Sequence, residues 1–188
     1  MLIGNKKTFA IELSFENFYD DEWIAWGAFR MFVGGCSYGI EGTETTYFYL
    51  IFIELKKIIE ENVMRQNLFK EYSDQEIVDN YHLIFEELSD EETDGKLYLG
   101  MNYKNLPDCF YDFANKTEMA FNDGSNVLMF RNESYVRLIG YRSIGGMNIK
   151  DLNGITITRE EFDNIIQKTL KTILSERDRA LKKVTKDE

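Results

Sequence analysis

Apolar residues recur along this chain with two periods, and the switches between them divide it into elements. Over residues 8–15 the period is two: Phe9, Ile11 and Leu13 share one face of a predicted strand. A second extended stretch, residues 23–33, is rich in aromatic and branched side chains and closes on Gly34-Gly35, with the connecting hairpin placed at residues 17–22. Gly34, Gly35, Gly39 and Gly42 then read as a flexible loop. Beyond it Phe48, Ile51, Phe52, Leu55, Ile58, Ile59 and Val63 step by three and four, which predicts a helix over residues 44–66. The dense opening of that run, residues 47–53, also reads as a strand, but the sustained period and the length favour helix.

Ser73-Asp74-Gln75-Glu76 has the form of a capping box, in which a serine hydroxyl and a glutamate satisfy each other's free backbone amides. It starts a second helix lined by Ile77, Tyr81, Ile84, Phe85 and Leu88 and stopped near Gly95. Residues 96–103 read as one short strand, and residues 105–115 carry no clear period. Three strands at 118–121, 127–131 and 135–142, separated by Asn122-Asp123-Gly124 and Asn132-Glu133, predict an antiparallel meander. Asp151-Leu152-Asn153-Gly154 reads as a further turn. Thr158-Arg159-Glu160-Glu161 is a second capping box and opens a long helix with Phe162, Ile165, Ile166, Leu170, Ile173 and Leu174 on its packing face. Its charged end, residues 177–188, is expected to fray. The pattern as a whole predicts an α+β fold: antiparallel β-sheet packed with about three α-helices, in a single domain spanning residues 1–188.

The length of 188 residues and the 44% apolar content support one domain with a real core. Charge changes the picture more. The net charge is -11, and residues 159–188 contribute +1, so the rest of the chain carries -12. Such a surface repels polyphosphates and anionic bilayers, which excludes nucleic acid and membrane as the expected partners, and it attracts a basic protein. The carboxylates of Glu86, Glu87, Asp90, Glu91, Glu92 and Asp94, with no lysine or arginine among them, and those of Glu41 and Glu44 are the candidate contact residues. The longest apolar run, residues 47–53, falls far short of the ~20 residues of a membrane span. The opening residues lack the apolar core of a signal peptide, so a cytoplasmic location is expected.

Candidates for catalysis are few. Two cysteines, Cys36 and Cys109, are too few for a disulfide framework, and His82 is the only histidine. A Cys36/His82 nucleophile pair is the thiol-based option; a free thiol and a helix-packing histidine are the alternative. One histidine does not make a usual zinc site. Asp90, Glu92, Asp94 and Gly95 match half of a calcium loop whose twelfth position, Met101, should be glutamate. Gly34-Gly35-Cys36-Ser37-Tyr38-Gly39 lacks the lysine and the spacing of a phosphate cradle. No metal, cofactor or enzymatic activity is therefore expected, with a small-ligand or enzymatic pocket near the Gly34–Gly42 loop as the alternative function. Arg131, Arg137 and Arg142 in the meander are expected to pair with local carboxylates, with an anionic ligand as the alternative; at least one of Trp23 and Trp26 is expected to enter the core, the other being a candidate binding anchor.

Several segments together resemble the immunity protein 42 family of bacterial polymorphic-toxin and contact-dependent growth inhibition systems. They are Ile3-Gly4-Asn5-Lys6 with Phe9-Ala10-Ile11-Glu12; Trp26-Gly27, Phe32-Val33-Gly34-Gly35 and Tyr38-Gly39; and Glu118-Met119-Ala120-Phe121-Asn122-Asp123 followed by residues 127–131 and Arg137-Leu138-Ile139. The resemblance implies a cytoplasmic antidote that binds the C-terminal domain of a cognate toxin and blocks it. Many such toxins are nucleases with basic clefts, which an acidic inhibitor complements. The resemblance brings no catalytic residues with it and leaves the oligomeric state open.

Overall fold

The structure is a computed structural model, and it describes residues 1–19, 24–40, 44–60, 71–84, 97–102, 110–117, 121, 123–143 and 148–184. Two antiparallel sheets carry the fold. In the first, β1 (Leu2–Gly4) pairs with β2 (Phe9–Tyr19), and β2 with β3 (Ile24–Val33). The far side of β3 is shared by β4 (Cys36–Tyr38) at one end and β5 (Glu44–Tyr47) at the other. The hairpin predicted between residues 17 and 22 is present in the β2–β3 pairing, whose register runs from Phe9↔Val33 to Tyr19↔Ile24. That register shifts between Phe15 and Asn17, and Gly27 lies opposite Phe15, so close to the Ser14 carbonyl that no Cβ would fit.

Gly34-Gly35 is not part of a flexible loop. Both residues have positive φ, 58° and 96°, and they form the two-residue turn of the β3–β4 hairpin. The predicted helix over 44–66 also changes at its start: residues 44–47 are β5, and α1 runs Phe48–Glu60, while residues 61–66 lie outside the described residues. The β-branched pair Thr45-Thr46 suits a strand, and β3 offers it a free edge. Within α1, Phe48, Ile51, Glu54, Leu55 and Ile58 form the buried stripe.

The second sheet runs β11–β10–β9–β8, with β8 Tyr111–Asp112, β9 Ser125–Arg131, β10 Tyr135–Ser143 and β11 Ile149–Thr158. The meander at 127–142 is thus present; of the strand predicted at 118–121, only Phe121 is described, and it lies outside the strands. The turn predicted at 151–154 is instead absorbed inside β11. Gly140 pairs with Asn153 and Arg142 with Lys150, so Asp151 and Leu152 together oppose Tyr141. Asp151 takes φ 50° to make this bulge, a conformation aspartate tolerates better than most residues. The strand predicted at 96–103 is a tight hairpin, β6 (Leu97–Tyr98) and β7 (Met101–Asn102), folded about Leu99 and Gly100, which both have positive φ. The unread stretch before residue 116 holds β8 and a one-turn helix, α3 (Phe113–Lys116).

Helix α2 (Asp74–His82) starts at the predicted capping box: Ser73 Oγ accepts from the Glu76 amide at 3.2 Å, and Glu76 accepts from the Ser73 amide at 2.8 Å. Helix α4 (Arg159–Val184) is capped by Thr158, whose Oγ1 accepts from the Glu161 amide. The second sheet is buried on both faces. Val127, Met129, Val136 and Leu138 face a core shared with Phe9, Ile11, Leu13, Phe29, α1 and α4. The intervening residues Leu128, Phe130, Ile139 and Tyr141 face a second cluster built with Ile77, Val78 and Tyr81 of α2, Tyr98 and Phe110. The result is the α+β arrangement of antiparallel sheet and three principal helices that the periodicity predicts.

Candidate functional site

An open groove of about 500 Å³ lies where α2 begins, the β9–β10 turn projects and β11 runs past. Asp74, Asn132, Tyr135, Arg137, Gly154, Ile155 and Thr156 line it. The pairing Arg137↔Thr156 sets the two strands side by side, and the outer face of the sheet turns Arg137 toward α2.

There the guanidinium meets Asp74. Arg137 Nη2 and Nε donate to Asp74 Oδ1 at 2.5 and 3.1 Å, and Nη2 also donates to the Tyr72 carbonyl at 3.0 Å. The Asp74 carboxylate lies directly over Gly154, in the space a Cβ at that position would need. Glycine at 154 therefore serves close approach of the carboxylate, not a turn. At the rim, Asn132 Oδ1 accepts from the amides of Ser134 and Tyr135 at 2.9 and 2.8 Å, fixing the turn that presents Tyr135. Tyr135 is 51% exposed. Hydrogen bonds from the Ser73 amide and hydroxyl hold the Glu76 carboxyl below the usual glutamate range, so the head of α2 stays negative.

Of the predicted contact residues, Glu44 opens β5 opposite Gly27 in β3. Glu41, Glu86, Glu87, Asp90, Glu91, Glu92 and Asp94 lie outside the described residues, as do the half calcium loop, Cys109 and Trp23. Cys36 and His82 belong to different surroundings. The half-buried Cys36 thiol accepts from Asn153 Nδ2 at 3.0 Å, whereas the buried His82 ring packs edge-on to Tyr81 and Tyr141 at 5.9 and 5.3 Å. Among the described residues 34–40 of the glycine segment, none lines the groove; Gly34 lies beside Asn153, whose side chain leaves β11 on the opposite face from Gly154.

The arginines of the meander pair as expected. Arg142 bonds Asp151 at 2.7 Å and the Ser37 carbonyl at 2.7 Å, and Arg137 holds Asp74. Arg131 is buried; it donates to the Ile58 carbonyl in the last turn of α1 at 2.5 Å and lies 3.8 Å from Asp163. No helix among the described residues is long and apolar enough to cross a membrane, and no group of metal-ligating side chains is assembled among them. Asp74, Tyr135 and Gly154 were not expected at a common site: they lie far apart in sequence, and only the sheet register brings them together.

Residues 1–172 match the family described as Immunity protein 42. No match emerges among curated proteins. The chain is similar in fold to the crystal structure of CdiI from Burkholderia dolosa AUO158, with a TM-score of 0.58 and 16% identity over 92% of this chain and 99% of that one. With the family matched over residues 1–172 of 188, the chain belongs to the immunity protein 42 family.

Proposed function

We propose that this chain acts as one immunity domain over residues 1–188: it binds a cognate toxin's C-terminal domain in the cytoplasm and neutralises it by covering the active site or a partner-binding surface. The observation that carries this reading is the family match over residues 1–172. The net charge of -11 supports a basic adversary, such as a nuclease with a cationic substrate cleft, because opposite fields accelerate encounter and fix register. The protein acts by binding, with no bond made or broken. Glu41, Glu44, Glu86, Glu87, Asp90, Glu91, Glu92 and Asp94 are proposed as contributors to that field.

The test is co-expression with the product of the adjacent upstream gene. A stable complex and survival of cells carrying both genes are expected. Absence of a complex together with absence of protection overturns the reading.

A further inference from the structure

We infer that the groove at the head of α2 receives a lysine or arginine side chain of the toxin domain. This rests on the immunity reading above and assigns it a specific contact.

The first observation is an open acceptor on the groove floor. Both hydrogen bonds that Asp74 receives from Arg137 fall on Oδ1; Oδ2 rests over the exposed Gly154, and among the described residues no donor is placed on it. An ionised carboxylate has about four acceptor positions, so Asp74 has capacity for a second cation. Its side chain is 29% exposed, enough to be reached from solvent, while the sheet beneath it restricts the approach to one side.

The second observation is the wall. Tyr135 stands half exposed beside this acceptor, held by its amide bond to Asn132. A phenol ring with an accessible face attracts a cation and gives the methylene stem of lysine or arginine an apolar surface. The third is the balance of charge around the opening. Glu71 precedes the Tyr72 carbonyl, Glu76 lies in the first turn of α2, and Glu133 lies in the β9–β10 turn; all three are exposed. All three are sequence neighbours of the lining residues Asp74 and Asn132, and among the described residues they and Asp74 outnumber the guanidinium of Arg137, which is itself held by Asp74. The nearby Arg159 directs its guanidinium at Asp163, at 3.3 Å. An anionic side chain entering here would meet this excess of like charge; a cationic one is drawn in. The volume of about 500 Å³ accommodates one long side chain with its hydration.

Binding of the purified product of the adjacent upstream gene to wild type, Tyr135→Ala, Glu133→Lys and Asp178→Lys tests this. Asp178 is exposed and lies 19 residues along α4 from Arg159, roughly 28 Å away at 1.5 Å per residue, so it is the control. Tyr135→Ala and Glu133→Lys should each weaken binding about tenfold or more. The Glu133→Lys effect should shrink as salt rises, Asp178→Lys should bind as wild type, and urea unfolding should be unchanged in all three. If wild type does not bind and does not protect cells, the immunity reading fails. If wild type binds but both groove variants match it, the groove assignment fails and the immunity reading stands. Tighter binding by Glu133→Lys, or a loss confined to Tyr135→Ala, would show that the occupant is not a cation and would also overturn it.

Discussion

The ring of Tyr38 occupies the space that a side chain at Gly140 would need, so a residue of β4 and one of β10 interlock the two sheets. Tyr38 is fully buried there, and its hydroxyl donates to the Asp151 carbonyl at 2.5 Å. Gly140→Ala must displace the ring and lengthen that bond. Overpacking of this kind costs about 1–3 kcal/mol, which a lowered urea midpoint at constant slope would register.

The same burial predicts an alkaline limit. Loss of solvation raises the Tyr38 phenol above the ordinary tyrosine range, outweighing the opposing influence of Asn153 and Arg142. Because the folded value exceeds the unfolded one, the contribution to stability is complete below about pH 10 and is lost as pH rises toward the folded value. Carbon-13 labelling of tyrosine rings, assigned with Tyr38→Phe, should show this phenol still protonated in the folded protein where ordinary tyrosines have ionised. Ionisation of Tyr38 at the ordinary pH without unfolding would contradict it.

Arg131 should be among the costliest side chains to remove. It is 2% exposed, and its guanidinium donates to the Ile58 carbonyl of α1. Burial is the largest influence on it and lowers its pKa, the Arg159 charge acts in the same direction, and Asp163 opposes them. Arg131→Ala is expected to cost about 3–5 kcal/mol, since the Ile58 carbonyl loses this donor and Asp163 loses a cation 3.8 Å away. Thermal unfolding measures the loss, and Arg131→Lys should restore only part of it, because a single ammonium cannot reproduce the planar fork.

If an acidic surface drives recognition, association with the toxin domain should slow steeply as ionic strength rises, while dissociation changes little. Charge reversal at Glu86, Glu87 and Asp90 should reduce the association rate at low salt by about tenfold if that segment faces the partner. Stopped-flow rates unchanged by the triple reversal would remove the segment from the contact surface.

The helices and the meander were legible because periodicity and capping are local. Ser73 and Glu76 satisfy each other within one turn, and the stripe Ile51–Leu55–Ile58 declares its buried face without reference to the rest of the chain. The errors fall where the deciding partner is remote. Thr45-Thr46 looks like the front of a helix until β3 offers an edge, and Asp151-Leu152-Asn153-Gly154 has turn chemistry that the pairing with β10 converts into a bulge. Leu99 has positive φ, which its side chain disfavours, so the β6–β7 turn gave little warning. The groove was illegible for the same reason. Asp74 was visible as part of a cap and Gly154 as part of a turn, but their contact exists only once α2 lies across β11.

The bulge at Asp151 matters beyond its own strand. β11 is the margin of the second sheet, ten residues long, and a straight margin of that length invites another polypeptide to extend the sheet by main-chain bonding. By opposing two residues to Tyr141, the chain bends this margin midway and breaks the even spacing of its outward amides and carbonyls. Edge-to-edge growth into fibrils or sheet-continuing dimers is thereby discouraged, and recognition is left to side chains.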